Sequence, residues 1–333
     1  MATVSLGDLA HSFMLRRQTV ALKAQSQRLS TEMVTGLAAD RGAKLGGDFA
    51  TLGSIDASLA RLESFKIAGN EAAGFAGALQ SVLTLVDDLA GKTAPLLLTA
   101  GTAGTAPLID PAGMTSLQQF KSVMAALNTG FAGRSLLAGM ETGKAAVVEA
   151  ETVLTAIETA SLGATTAAEL AIAVNDWFDD PAGYAATVYL GGAALAPLSV
   201  GPTDEVTLAV TANDPAIRDT LKGLALAALL GRGVFAGDSD QRGEVARLAG
   251  ESLVQSQSTR TGLAAEVGLA EARIEAAAAR NAAETTALKI ARTGLLGVDG
   301  YETATLLETT ETQLETIYAL TERISRLTLV DYV

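Results

Sequence analysis

Few side chains in this sequence are equipped for catalysis. His11 is the only histidine and cysteine is absent, so any Ser-His or Ser-His-Asp arrangement would have to recruit His11. That residue lies inside an amphipathic stretch, where a packing or helix-surface role is the simpler reading. Without thiolates, metal ligation falls to carboxylates and carbonyls, and Asp87-Asp88, Asp179-Asp180 and Asp238-x-Asp240 lack the EF-hand spacing. They read as solvated turns or helix faces, and no metal is expected. Gly91-Lys92-Thr93 has the ending of a phosphate loop, but Val86 stands where the first glycine belongs. Gly231-x-Gly233-x-x-x-Gly237 has the wrong spacing for a dinucleotide fingerprint and follows a helical pattern. No cofactor is expected. A remote alternative is a glycan-acting enzyme using Asp176, Asp179 and Asp180 beside Trp177, but two carboxylates are too common to carry it. Trp177-Phe178 is most simply a core anchor, and no residue is assigned as catalytic.

With chemistry this sparse, the elements themselves become the subject. The 333 residues are 49% apolar and 18% charged, in the globular range, yet only 4% are aromatic. The apolar share leans on alanine, which favours helix and buries little area, so long, closely packed helices are expected. A net charge of −13 argues against nonspecific binding to nucleic acid or anionic membrane. The longest uncharged stretch, between Asp180 and Asp204, holds three prolines and suits turns better than a membrane span. At the N-terminus Arg16-Arg17 follows the apolar residues instead of preceding them, which is not the order of a cleavable signal peptide.

The strongest helical signals are at the two ends. Between Tyr301 and Val333, Leu307, Leu314, Ile317, Leu320, Ile324 and Leu327 recur at the spacing of a helix made to pack on another helix. Residues 299 to 331 carry seven acids against two bases, so a partner with some positive charge is expected. Residues 5 to 35 are that candidate, with Leu9, Phe13, Val20, Leu22, Leu29 and Met33 on or near one face. Through residue 50 there are six bases and four acids. The assembly interface is therefore assigned to Leu9, Phe13, Val20, Leu29, Met33, Leu307, Leu314, Ile317, Leu320, Ile324 and Leu327.

Between these ends, apolar periodicity predicts a long helix from Ile55 to about Gly91, broken by Pro95, Pro107 and Pro111, and a third helix from about Thr115. From Gln241 to Thr293 one further helix is expected, with Asn281 and Glu284 as polar residues on its seam. The middle reads as short helices followed by short strands between Gly and Pro turns. Gly133 to Gly139 and Gly231 to Gly237 echo each other and read as matching corners bracketing this insert. The expected fold is mainly α: a long antiparallel bundle or coiled coil from residues 1–139 and 238–333, with terminal helices about 5–35 and 301–330. Residues 140–237 form an inserted, outward-facing α+β domain.

Two stretches give this architecture a family likeness. Leu29-Ser30-Thr31-Glu32-Met33-Val34-Thr35-Gly36 and the run from Tyr318 to Tyr332 resemble the conserved ends of the flagellin superfamily. Ser5-Leu6-Gly7-Asp8-Leu9-Ala10, Leu15-Arg16-Arg17-Gln18 and the Asn128–Gly139 corner are closer to its alphaproteobacterial hook-associated members of the hook–filament junction. The resemblance implies a structural subunit, not an enzyme, exported by the flagellar type III route without a cleavable signal peptide to the extracellular flagellum. It implies self-assembly into a ring or tube, with flagellin, another hook-associated protein and an export chaperone as partners. Flagellin itself, the bulk filament subunit, is the alternative within the same superfamily.

Overall fold

The structure, a computed structural model, describes the backbone of residues 6–330 and the side chains of residues 10–324. It is mainly helical, as expected. Eleven helices follow in chain order among the described residues: α1 (Leu6–Thr35), α2 (Arg41–Lys44), α3 (Ala50–Ala103), α4 (Ala106–Leu127), α5 (Ala150–Ala160), α6 (Ala167–Asp179), α7 (Tyr184–Thr187), α8 (Pro215–Gly231), α9 (Ser239–Gln255), α10 (Gln257–Leu296) and α11 (Gly300–Val330). Two antiparallel two-residue hairpins complete it, β1 (Gly130–Phe131) with β2 (Arg134–Ser135) and β3 (Leu198–Ser199) with β4 (Glu205–Val206). The chain forms two compact units, one of residues 1–62 and 282–333, the other of residues 63–281. The limits anticipated at 140 and 237 do not coincide with these boundaries.

In the second unit, α8 is the central element. Leu221, Leu224, Ala225 and Ala228 are buried, and α8 packs against α4, α9, α6 and α5. Its N-terminus follows a legible signal: the Asp214 carboxylate accepts the Ala216 N–H at 2.9 Å, with Pro215 at the first helical position. The alanine-rich composition has the consequence expected of it. A Cβ at Gly113 of α4 would stand 2.7 Å from Gly231 N of α8, and one at Gly101 of α3 would stand 2.7 Å from Arg247 N of α9. Backbones therefore touch at these crossings, which leaves no room even for alanine.

The inserted segment proves more helical than expected. Of residues 206–210 only Val206 pairs as strand, together with Glu205 before it. Leu208 is instead buried in irregular backbone and Ala212 in the turn before α8, where Ala212 N–H donates to the Leu137 carbonyl at 2.9 Å. Trp177-Phe178 is the anchor predicted: Phe178 is fully buried, with Trp177 edge-on at 5.1 Å and Tyr184 stacked at 5.3 Å. Tyr184 donates its hydroxyl to the Ala212 carbonyl at 2.9 Å, so the buried phenol is satisfied. Phe178→Ala removes the shared ring of this cluster and is expected to lower stability by about 3–5 kcal/mol, read by thermal unfolding of the full chain. The echoed heptapeptides do not share local structure. Arg134-Ser135 is strand, whereas Gly231 closes α8, and only Gly139 and Gly237 share a left-handed backbone.

Helix boundaries differ from the sequence pattern at two places. Pro95 does not end α3, which continues to Ala103 and stops at Gly104 (φ +63°). Pro95 and Gly91, whose carbonyl loses its ladder partner, are both exposed, so that carbonyl is open to solvent. Likewise Pro107 sits in the first turn of α4, and the helix starts at Ala106, well before Thr115. The helix expected over 241–293 is two helices, α9 and α10, separated at Ser256. On α10 the seam is real over Val267, Ala270, Ile274 and Ala277, all buried. Asn281 continues it, donating to the Val200 carbonyl at 2.8 Å. Glu284 is exposed and leaves the seam.

In the first unit, α1 and α11 pack together. Gly36 (φ +68°) ends α1, and the chain then bridges to the α10–α11 turn: Ala38 N–H to Leu296 carbonyl at 2.8 Å, Val298 N–H to Gly36 carbonyl at 3.1 Å. Asp299 caps α11 through the N–H groups of Tyr301 (2.8 Å) and Glu302 (3.2 Å). Arg292 of α10 meets Asp56 of α3 at 2.9 Å.

Candidate assembly interface

The helix period divides the apolar residues of α1 into two stripes. At about 100° per residue, Leu15, Leu22 and Leu29 form one column and Phe13, Val20 and Val34 another, roughly 140–160° away. The structure separates them accordingly. Leu22 and Leu29 are buried, at 9% and 4% exposure, whereas Phe13 and Val20 are each 68% exposed and Val34 85%. The single face anticipated for residues 5–35 is thus two faces on opposite sides of one helix. Met33 falls in the direction of the inner column, four residues beyond Leu29, yet is 53% exposed near the end of the helix.

On α11 the inward column is Thr303, Thr310 and Ile317, all buried, continued by half-buried Ile324. Leu307 and Leu314 flank it, also half-buried. Two of its members are polar, but neither asks anything of the partner helix. Thr303 and Thr310 donate their hydroxyls to the carbonyls four residues back, Asp299 and Leu306, each at 2.7 Å. Leu320 and Leu306 lie on a different column, each 45% exposed. Lys23 of α1 lies over the Tyr318 ring at 5.5 Å and, with the Leu37–Gly297 bridge, fixes the pair as antiparallel.

Of the eleven residues assigned to an interface, Leu29 and Ile317 are buried within the chain, and Leu307, Leu314 and Ile324 are half-buried. Phe13, Val20, Met33 and Leu320 remain exposed, and Leu9 and Leu327 lie outside the described side chains. The sequence pattern missed the other exposed apolar residues of the two helices, Met14, Val34, Leu306 and Tyr318. They share no single direction: Val34 continues the outer column of α1, whereas Met14, Leu306 and Tyr318 flank the seams.

Elsewhere the chemistry is occupied by structure. Asp179 and Asp219 both pair with Lys222, at 2.8 and 2.9 Å, in a polar cleft of about 340 Å³. Burial pushes the Lys222 ammonium pKa down, but the hydrogen bonds and charges of Asp179 and Asp219 outweigh it and hold it above the usual lysine value. Asp180 accepts the Ala182 N–H at 2.9 Å. Among the described residues no cluster of His, Asp and Glu is placed to hold a metal, and no helix is long and apolar enough to cross a membrane.

Comparison with known proteins bears on the same helices. Residues 253–333, which include all of α11, match the family model of the bacterial flagellin C-terminal helical region. Among solved structures the chain is similar in fold to a protein of Vibrio parahaemolyticus provisionally described as flagellar hook-associated. The TM-score is 0.52 at 12% identity, over 75% of this chain and 99% of that one. A search of curated proteins finds no match. The family match covers the C-terminal region, and the structural likeness is one of fold.

Proposed function

We propose that this chain is a structural subunit of the bacterial flagellum that joins hook to filament. The observation that carries the reading is the antiparallel pair of α1 and α11. The pair satisfies its seam internally and still presents a second apolar stripe, on helices whose C-terminal member lies in a flagellin-type region. A folded chain that keeps Phe13, Val20 and Val34 in water has a reason to do so if neighbours cover them. The role is mechanical and not enzymatic, since packing of helices is the whole of its chemistry.

In this reading copies of the chain form a ring or tube through α1 and α11. Flagellin and another hook-associated protein lie on its two sides, and residues 140–237 face outward. Export follows the flagellar type III route to the cell exterior, with a chaperone covering the apolar stripe beforehand. Flagellin itself is the second reading, favoured by the description of the matching family region; an abundant subunit fits flagellin and a rare one the junction. Deletion of the gene, followed by electron microscopy of the cells, tests the assignment. Cells with hooks but no filaments are the expected result, and intact filaments overturn it.

A further inference from the structure

The break between α9 and α10 is held by side chains alone. Residues 251–261 contain neither proline nor glycine, so nothing covalent compels the helix to stop there. The ladder nevertheless ends with Ser256 N–H to Ser252 carbonyl (3.0 Å) and resumes with Arg260 N–H to Ser256 carbonyl (3.1 Å). Ser256 itself has ψ −4°, away from the helical value of about −42°. In a continuous helix the Leu253 carbonyl would accept from Gln257 N–H. Here it accepts from the Ser256 hydroxyl and from the Arg260 guanidinium, each at 3.2 Å.

Arg260 is 7% exposed and ties four helices to this point. Its Nη1 donates to Ser256 Oγ at 2.7 Å and reaches Thr220 Oγ1 of α8 at 3.5 Å, while Nε pairs with Asp87 of α3 at 2.8 Å. A planar fork of donors suits this arrangement, because one group must meet a carbonyl, a hydroxyl and a carboxylate in different directions. On the other side, Ser252, Gln255, Ser256 and Thr259 line the polar cleft shared with Asp179 and Lys222. Water and space are therefore available to a backbone that opens or closes there.

We propose that Ser256 is a latched joint with Arg260 as the latch. With Arg260 engaged, α9 and α10 are separate helices; with Arg260 released, residues 239–281 run as one helix. The purpose rests on the structural-subunit reading, in which a joint lets one subunit meet neighbours of different geometry. The joint itself is tested on the full chain in solution, so failure of that reading leaves the test standing.

Ser256→Ala removes the hydroxyl between Arg260 and the Leu253 carbonyl while favouring helix. Amide hydrogen exchange at Gln257, Ser258 and Thr259 is expected to slow about tenfold in this variant as ladder bonds form. Unchanged exchange in α4 and α8 serves as the control for folding. Because the chain has no cysteine, Ser239→Cys and Ala272→Cys supply unique spin-label sites, about 50 Å apart on an unbroken helix. Arg260→Met is expected to shift the measured distance from its native value toward that length. The latch is overturned if exchange at residues 257–259 is unchanged or faster in Ser256→Ala. It is equally overturned if a folded Arg260→Met chain keeps the native distance. Should Arg260→Met not fold, Ser256→Ala decides alone.

Discussion

A chain truncated after Leu306 keeps its second unit folded and loses assembly completely. The deletion removes Thr310, Ile317 and Ile324 of the inward column and leaves Leu22 and Leu29 of α1 facing water. Each buried aliphatic side chain returned to solvent costs about 1.5–3 kcal/mol, enough over three such residues to end the pairing of α1 with α11. The core of residues 63–281 contains none of the deleted residues; Phe120, Phe178, Tyr184 and the α8 leucines lie wholly within that unit. Thermal unfolding should therefore retain a cooperative transition while sedimentation shows no polymer. A truncated chain that still assembles would mean that α11 is not the interface.

The second large effect separates fold from assembly on a single helix. Phe13→Ser combined with Val20→Ser alters two side chains that are each 68% exposed in the folded chain, so stability should change by less than about 0.5 kcal/mol per site. If neighbouring copies bury these side chains, each loss weakens the contact by about 1.5–3 kcal/mol. The concentration needed for assembly should then rise by about 100-fold or more, at 1.4 kcal/mol per factor of ten. Leu22→Ser on the inner column should do the reverse in order, loosening the α1–α11 pair first and assembly as a consequence. Circular dichroism and sedimentation on the same samples distinguish the two.

What was legible in the sequence follows from how local each signal is. Helix α1 was readable because its apolar period acts within a few positions, and the α8 cap at Asp214 and the turn through Gly297 and Asp299 rest on capping and turn residues that act just as locally. Thr310 interrupts the apolar spacing of α11, and nothing in that spacing shows that its hydroxyl is satisfied by the Leu306 carbonyl. Pro95 was misread as a stop because its effect depends on whether water reaches the carbonyl of Gly91, a fact of burial and not of spacing. Ser256 was invisible for the complementary reason. The groups that break the helix there include Asp87 and Thr220, distant in sequence and joined only by the fold.

The candidate interface was half legible for a geometric reason. Two apolar columns on opposite sides of α1 look like one amphipathic set when residues are counted without a reference direction. Leu29 with Ile317 and Phe13 with Val20 then fall into a single list, although the fold spends one pair on itself and leaves the other exposed. That division moves the search for neighbours from the seam to the outer column.

The central claim is that this outer column is covered by neighbouring copies, and one labelling measurement tests it directly. In a chain without native cysteine, Val20→Cys provides one thiol on the outer face of α1. A maleimide reagent should modify it readily in the free chain, fail to modify it in isolated flagella, and modify it again once those flagella are dissociated. Equal labelling in free and assembled protein would show that the outer column faces solvent in the flagellum and would contradict the account.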